Sequence, residues 1–299
     1  MATFEIHGGK KLKGELTPQG AKNEALQVVC AVLLTSEKVT LTNLPFIRDV
    51  NFLIDLLEAL GVQIEREGNG TVHFQANNVN IDYLNSEDFK VRAESLRGSI
   101  MIVGPLLARF KKAYMPKPGG DKIGARPLDT HFLGFTKLGA TYTYDPNTCF
   151  YSLEAKNLAG QYILLDEPSV TGTANILMTA VLAKGKTTIY NAACEPYLQQ
   201  LCSMLNSMGA KITGVGSNLL TIEGVDELGG CEHRLLPDFI EVGSFIGLAA
   251  MTQSEITIKN CRVDMLGRIP DTFRRLGIQL EIKGDDIYIP SQDNYEIKR

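Results

Sequence analysis

Residues 118–129, Pro-Gly-Gly-Asp-Lys-Ile-Gly-Ala-Arg-Pro-Leu-Asp, put two carboxylates (Asp121, Asp129) and a guanidinium (Arg126) in a glycine-rich segment without apolar periodicity. Such a stretch has no face to bury, so its charged groups point to a ligand rather than a core. Arginine matches carboxylate or phosphate geometry, and a carboxyl group can deliver a proton. Arg126 precedes Pro127, which disfavours a helical arginine and extends the loop. His131 follows and reads as a packing or capping residue rather than an acid–base group.

Further candidates stand where apolar helices begin. Gly20-Ala21-Lys22-Asn23, Ser169-Val170-Thr171-Gly172-Thr173 and Glu241-Val242-Gly243-Ser244 each open such a segment. The free N–H groups and the helix dipole there suit an anion. Lys22 reads either as a cation placed for that anion or as a solvated lysine beside an asparagine cap. Ser169 reads as a plain N-cap or as part of an anion site. Arg97, in Ser95-Leu-Arg-Gly-Ser99, reads as a surface ion-pair partner or as a group facing phosphate. Lys10-Lys11 and Arg274-Arg275 read as solvated faces.

These residues sit on an internal repeat. Leu60-Gly61-Val-Gln-Ile64, Leu138-Gly139-Ala-Thr-Tyr142, Met208-Gly209-Ala-Lys-Ile212 and Leu276-Gly277-Ile-Gln-Leu280 resemble one another, with glycines 78, 70 and 68 residues apart. A period near 70 exceeds that of a solenoid repeat and suggests a small subdomain. Upstream of three of them a strand ends in asparagine (Asn43, Asn191, Asn260), 18, 18 and 17 residues before the glycine. Each unit opens with an apolar stretch (25–34, 100–108, 176–183, 245–251) that reads as a buried helix. A β-rich run such as Lys38–Thr42 follows. Val50, Leu53, Ile54, Leu57 and Leu60 then define an amphipathic helix, and Leu201, Met204, Leu205 and Met208 another. The repeated glycine fits a left-handed C-terminal cap. Gln63–Arg66 and Thr71–Phe74 around Gly68-Asn69-Gly70 read as a hairpin. The unit is thus helix, strand, helix, strand, strand, led by a strand such as Phe4-Glu5-Ile6. The fourth unit's second helix starts late, near Pro270.

The 299 residues carry a net charge of −4, which argues against a general nucleic-acid binder. No run of 18 apolar residues and no signal-peptide pattern occur, so no membrane association and a cytoplasmic setting are expected. The six cysteines lack Cys-x-x-Cys spacing and read as buried free thiols in a reducing compartment. The four histidines show no metal-ligand spacing.

Taken in order, Gly20-Ala-Lys-Asn23, Leu96-Arg-Gly-Ser99, Pro118-Gly-Gly-x-x-Ile-Gly-Ala-Arg-Pro-x-Asp-x-His131 and Leu236-Pro-Asp-x-Ile-Glu241 resemble the UDP-N-acetylglucosamine 1-carboxyvinyltransferase family. These are enolpyruvyl transferases of early peptidoglycan synthesis. The resemblance runs the whole length, and the Pro-Gly-Gly loop is its most specific part. EPSP synthase, the sister enzyme, shares the repeat but not the loop. The resemblance implies an α/β fold, an inside-out barrel of six helix-strand-helix-strand-strand units, three per domain, with substrate between the domains. It implies addition–elimination on phosphoenolpyruvate by the 3-hydroxyl of UDP-N-acetylglucosamine, releasing phosphate, with no metal or organic cofactor. Carried over by position, Lys22 and Arg126 hold phosphoenolpyruvate and Asn23 contacts the sugar nucleotide. Arg126, Pro127, Asp129 and His131 line the uridine end. Ser169 and Val170 meet the diphosphate through backbone N–H groups, and Arg97 lies on the phosphate side.

Three departures stand out. Where the family usually carries cysteine as the acid protonating C3, this chain has Asp121. An aspartic acid serves if its pKa is raised toward working pH, and it is not alkylated as a thiolate is. The family's Ser-Val-Gly turn here reads Ser169-Val170-Thr171-Gly172, which displaces the glycine. Finally, only four units are present. Residues 21–236 are expected to form a complete three-unit domain, and 1–20 with 237–299 one unit of a second. The implied alternative is a truncated, non-catalytic UDP-sugar-binding relative.

Overall fold

The computed structural model describes residues 3–119, 124 and 127–297. The chain begins with β1 (Lys13–Leu16), α1 (Lys22–Ala31), β2 (Lys38–Thr42), α2 (Arg48–Ala59), β3 (Gln63–Glu67) and β4 (Thr71–Gln75). Next come α3 (Glu87–Glu94), a 3₁₀ segment (Arg97–Ile102) running into α4 (Val103–Phe110), and β5 (Lys112–Pro116). They are followed by α5 (Asp129–Lys137), β6 (Thr141–Asp145), β7 (Phe150–Glu154) and β8 (Tyr162–Leu164). Then α6 (Val170–Ala180), β9 (Lys186–Tyr190), α7 (Pro196–Ser207), β10 (Lys211–Thr213), β11 (Leu219–Glu223) and β12 (Cys231–Arg234) succeed one another. The last are α8 (Phe239–Met251), β13 (Glu255–Ile258), α9 (Ile269–Arg275), β14 (Glu281–Lys283) and β15 (Asp286–Ile289).

Two compact units result, one of residues 22–235 and one of residues up to 21 with those from 236 on. In the larger unit the order β12-β2-β4-β3 makes one sheet, β5-β7-β6 a second and β10-β11-β9-β8 a third. The smaller unit holds β1-β13-β15-β14. Among the described residues these are separate sheets, three of them mixed and β5-β7-β6 purely antiparallel, each open at both edges, and none closes into a barrel.

The apolar stretches of the sequence become the buried helices α1, α4 and α6 of the larger unit, whose apolar residues are almost all inaccessible. Helix α2 points Val50, Leu53, Ile54 and Leu57 inward, as its spacing requires. Helix α7 starts on Pro196, where the missing N–H costs nothing, and buries Leu201, Met204 and Leu205. Gly61, Gly139, Gly209 and Gly277 follow their helices at φ between 89° and 105°, a region closed to a β-carbon.

The repeated asparagines have a shared cause. Asn43, Asn191 and Asn260 take φ of 61°, 60° and 53°, turning the chain left-handed at the end of β2, β9 and β13. The Asn43 amide donates to the Leu235 carbonyl at 3.0 Å and that of Asn191 to Leu165 at 2.9 Å. Leu235 and Leu165 directly follow the parallel neighbours β12 and β8, so each amide ties a strand end to its parallel partner. β13 also has a parallel partner, β1. Among the described residues β5 has none, and the second repeat lacks the asparagine.

Some expectations are corrected. The leading strand is Lys13–Leu16, not Phe4–Ile6, because pairing with β13 engages residues 13–16 and leaves Phe4 and Ile6 exposed. Leading strands also do not all serve the unit they precede: β1 pairs with β13, while β12 pairs with β2. Helix α8 starts at Phe239, ahead of Glu241, because Asp238 caps it by accepting from the Ile240 and Glu241 N–H groups. All six cysteines are free, but Cys149 and Cys194 are exposed rather than buried, standing in the β6–β7 turn and just ahead of α7. No described helix is long and apolar enough to cross a membrane.

Arg109 closes the C-terminal end of the first buried segment. Its Nη1 donates to the carbonyls of Leu33, Thr35 and Ala76 at 3.2, 3.0 and 2.6 Å. Partial burial lowers its pKa. Arg109→Met keeps the stem but strands three carbonyls, so we expect a loss of about 3 kcal/mol. Urea unfolding should show a lower midpoint with an unchanged slope.

Candidate functional site

The three buried helices of the larger unit run parallel. Gly98 packs on the Leu26 side chain near the start of α1, and Arg109 reaches Leu33 and Thr35 near its end. Likewise Ile100 and Gly104 bond Asn175, and Thr179, one turn later, bonds Gly104. The N-terminal ends of α1, of the 97–110 segment and of α6 therefore lie on one side. Lys22, Arg97, Ser169 and Val170, four of the residues picked out in the sequence, sit there together. Parallel dipoles with two cations make this end electropositive.

Lys22, the first residue of α1, forms an ion pair with Asp49 in the first turn of α2. Asn23 is exposed. The Ser169 hydroxyl caps α6 by accepting from the Gly172 N–H at 3.2 Å, and Val170 opens the helix. The cap engages the Gly172 N–H and the Glu167 carbonyl that of Ser169, which leaves the N–H groups of Val170 and Thr171 for an anion. Pro127 and Asp129 are exposed, and Asp129 opens α5. Asp121 and Arg126 lie outside the described residues.

His131 is 3% exposed and joins α5 to α6. Its Nδ1 is 3.0 Å from the Asn175 amide nitrogen and its Nε2 3.3 Å from the Thr171 hydroxyl. Burial, and then the charge of Arg97, push its pKa down to about 4. The ring is therefore neutral at neutral pH and behaves as a polar packing group, in line with the sequence reading.

Asn175 and Asp49 were not singled out from the sequence, and Thr171 was noted there only as a departure from the family's turn. A signal existed for the first: Thr173, Asn175 and Thr179 are fully buried polar residues on a helix that otherwise reads as apolar. A buried polar side chain needs partners, which here come from α4 and α5. Gly104 completes the contact, because a β-carbon there would stand 2.5 Å from the Asn175 carbonyl and side-chain oxygens. Chemically, this end of the unit offers fixed cations and oriented N–H groups for a multiply charged anion. Among the described residues no cluster of three or more His, Cys, Asp or Glu is placed to share a metal ion.

The family profile described as EPSP synthase (3-phosphoshikimate 1-carboxyvinyltransferase) matches residues 6–298. The UDP-N-acetylglucosamine 1-carboxyvinyltransferase of Bacteroides thetaiotaomicron is 63% identical over 298 residues, covering 100% of this chain and 69% of that protein. The protein of the same name from Porphyromonas gingivalis is 62% identical with the same coverage. Among solved structures, the enolpyruvyl transferase NikO from Streptomyces tendae superposes with a TM-score of 0.83 at 20% identity, over 96% of this chain and 68% of that one. EPSP synthase from Acinetobacter baumannii gives 0.70 at 20% identity, over 95% and 66%. At that identity the two structures speak to the fold alone.

Proposed function

Because the chain belongs to the UDP-N-acetylglucosamine 1-carboxyvinyltransferases of the EPSP synthase family, we propose that it transfers the enolpyruvyl group of phosphoenolpyruvate to the 3-hydroxyl of UDP-N-acetylglucosamine. The observation that carries this reading is the shared end of three parallel buried helices, where Lys22 and Arg97 stand beside the first turns of α1 and α6. Both substrates are anions, and holding two of them together needs fixed cations and N–H groups more than a nucleophile with its base. Identity above 60% to proteins named for this activity favours the enzyme over a non-catalytic binder.

In the proposed chemistry the sugar 3-oxygen bonds to C2 of phosphoenolpyruvate while Asp121 delivers a proton to C3. The hydroxyl passes its proton to solvent. C3 then passes a proton to solvent as the C2–O bond to phosphate breaks, which restores the double bond and releases inorganic phosphate, and Asp121 is reprotonated from solvent. Lys22 and Arg126 neutralise the phosphate and carboxylate throughout. Asn23 contacts the sugar nucleotide, Arg97 supports the phosphate side, and Pro127 and Asp129 line the uridine end, whereas the buried His131 packs inside the unit instead of lining it. Val170 receives the diphosphate on its N–H group, while the Ser169 N–H, carried over with it from the resemblance, is engaged by the Glu167 carbonyl at 2.8 Å and leaves Ser169 the role of cap. The setting is the cytoplasmic start of peptidoglycan synthesis, with no membrane or nucleic-acid partner. The same reading treats residues 21–236 as three complete repeats of an inside-out α/β barrel, and 1–20 with 237–299 as one repeat of a second. In support, the larger unit holds three sheets and three buried helices.

Phosphate release from phosphoenolpyruvate tests the reading directly. Release that depends on UDP-N-acetylglucosamine is the expected result. Release that ignores the sugar nucleotide, or none at all with both substrates bound, would overturn it for this chain.

A further inference from the structure

The side-chain amide of Asn175 makes three bonds in the interior of the larger unit. Its Oδ1 accepts from the Gly104 N–H at 2.8 Å, and its Nδ2 donates to the Ile100 carbonyl at 2.9 Å and faces His131 Nδ1 at 3.0 Å. A backbone N–H can only donate and a backbone carbonyl only accept, so Gly104 and Ile100 decide which end of the amide is which. The end facing His131 is therefore the donor, and Nδ1 must offer a lone pair. In the neutral ring the proton then resides on Nε2, 3.3 Å from the Thr171 hydroxyl. A hydroxyl that accepts from Nε2–H has its own proton left to give. Thr171 is exposed and stands in the first turn of α6, next to Ser169 and Val170.

We propose that Asn175 is a positioning residue: it locks His131 in the Nε2–H tautomer, and His131 in turn orients the Thr171 hydroxyl as a donor to the diphosphate of the sugar nucleotide. The second half rests on the function proposed above, while the tautomer does not. This relay also gives the Thr171 side chain a use. Where the turn departs from Ser-Val-Gly, the added side chain supplies a directed O–H at the position of a bare backbone.

The first test is the nitrogen–proton correlation spectrum of the ¹⁵N-labelled chain without ligand, with His131 assigned by its absence in His131→Gln. Wild type should show a protonated Nε2 and a bare Nδ1, and a protonated Nδ1 overturns the proposal. Asn175→Asp turns the donor into an acceptor and should move the proton to Nδ1; an unchanged ring in a folded variant overturns it too. The second test is calorimetric binding of UDP and of uridine. Thr171→Val should keep the tautomer, weaken UDP about tenfold and leave uridine unchanged, with Thr171→Ser restoring UDP binding. Equal weakening of both ligands, or none, overturns the donor role. Failure of wild type to bind UDP at all would instead strike the function proposed above and leave the tautomer result standing.

Discussion

Asp121→Asn is expected to lower turnover by about 10³-fold while leaving the affinity for UDP-N-acetylglucosamine within a few-fold of wild type. An amide has nearly the shape and polarity of the acid but no proton to deliver. Only the step that moves hydrogen to C3 should suffer, and the loss should sit in kcat with KM for the sugar nucleotide unchanged. Asp121→Glu keeps an acid at a different reach and should retain part of the activity. Equal losses of turnover and binding in Asp121→Asn would show a structural role for the residue instead. Steady-state kinetics alongside calorimetry with the sugar nucleotide separates the two cases.

The same residue sets the response to fosfomycin, which acts on the cysteine that usually occupies this position in the family. A carboxylate is not alkylated as a thiolate is, so the chain should keep its activity after prolonged incubation with the inhibitor. Asp121→Cys should keep a proton donor and introduce time-dependent, irreversible loss of activity. Mass spectrometry would show one covalent adduct in that variant and none in wild type. An adduct on wild type accompanied by inactivation would mean that another nucleophile is being attacked and that the Asp121 assignment is wrong. The exposed thiols Cys149 and Cys194 make this control necessary.

Much of the scaffold could be read from local pattern because local pattern caused it. The inward positions of α2 and α7 follow from their spacing, and the glycine after each helix from its left-handed turn. Pairing over long distances left no such trace. β2 takes as its parallel neighbour β12, about 190 residues away, and nothing in either strand names the other. The alternation at Phe4–Ile6 looks more strand-like than Lys13–Leu16, yet the edge of β13 selects the latter. The asparagines at 43, 191 and 260 were visible as a repeat, but their purpose required the parallel partners. In the candidate site, charged residues at helix starts could be found because their type and place are unusual. Asn175 was hidden, since a buried amide reveals its role only through the groups it meets on α4 and α5.

Lys22 carries the second large expected effect. It is the first residue of α1, where the dipole already favours an anion, and the aligned starts of the 97–110 segment and α6 add to that field. Asp49 stands against it as the anionic partner in the structure. That ion pair is half exposed and contributes little to stability, so replacing Lys22 should leave unfolding almost unchanged. In the proposed role the cation is held in place before the substrate arrives, and charge that develops on departing phosphate would meet it without reorganisation. Lys22→Met is therefore expected to lower kcat/KM for phosphoenolpyruvate by about 10³-fold, with UDP-N-acetylglucosamine binding little altered. Lys22→Arg keeps the charge but spreads it over a planar fork, and should fall between the two. Near-normal kcat/KM in Lys22→Met would place the phosphoenolpyruvate site elsewhere. A parallel collapse of sugar-nucleotide binding would mean that Lys22 holds the first substrate rather than the second. Asp49→Asn separates field from contact: it removes the competing anion but leaves Lys22 in place, so phosphoenolpyruvate affinity should hold or rise if the charge acts directly. A fall as large as that of Lys22→Met would show that Asp49 is needed to position the ammonium, and that its placement matters as much as its charge.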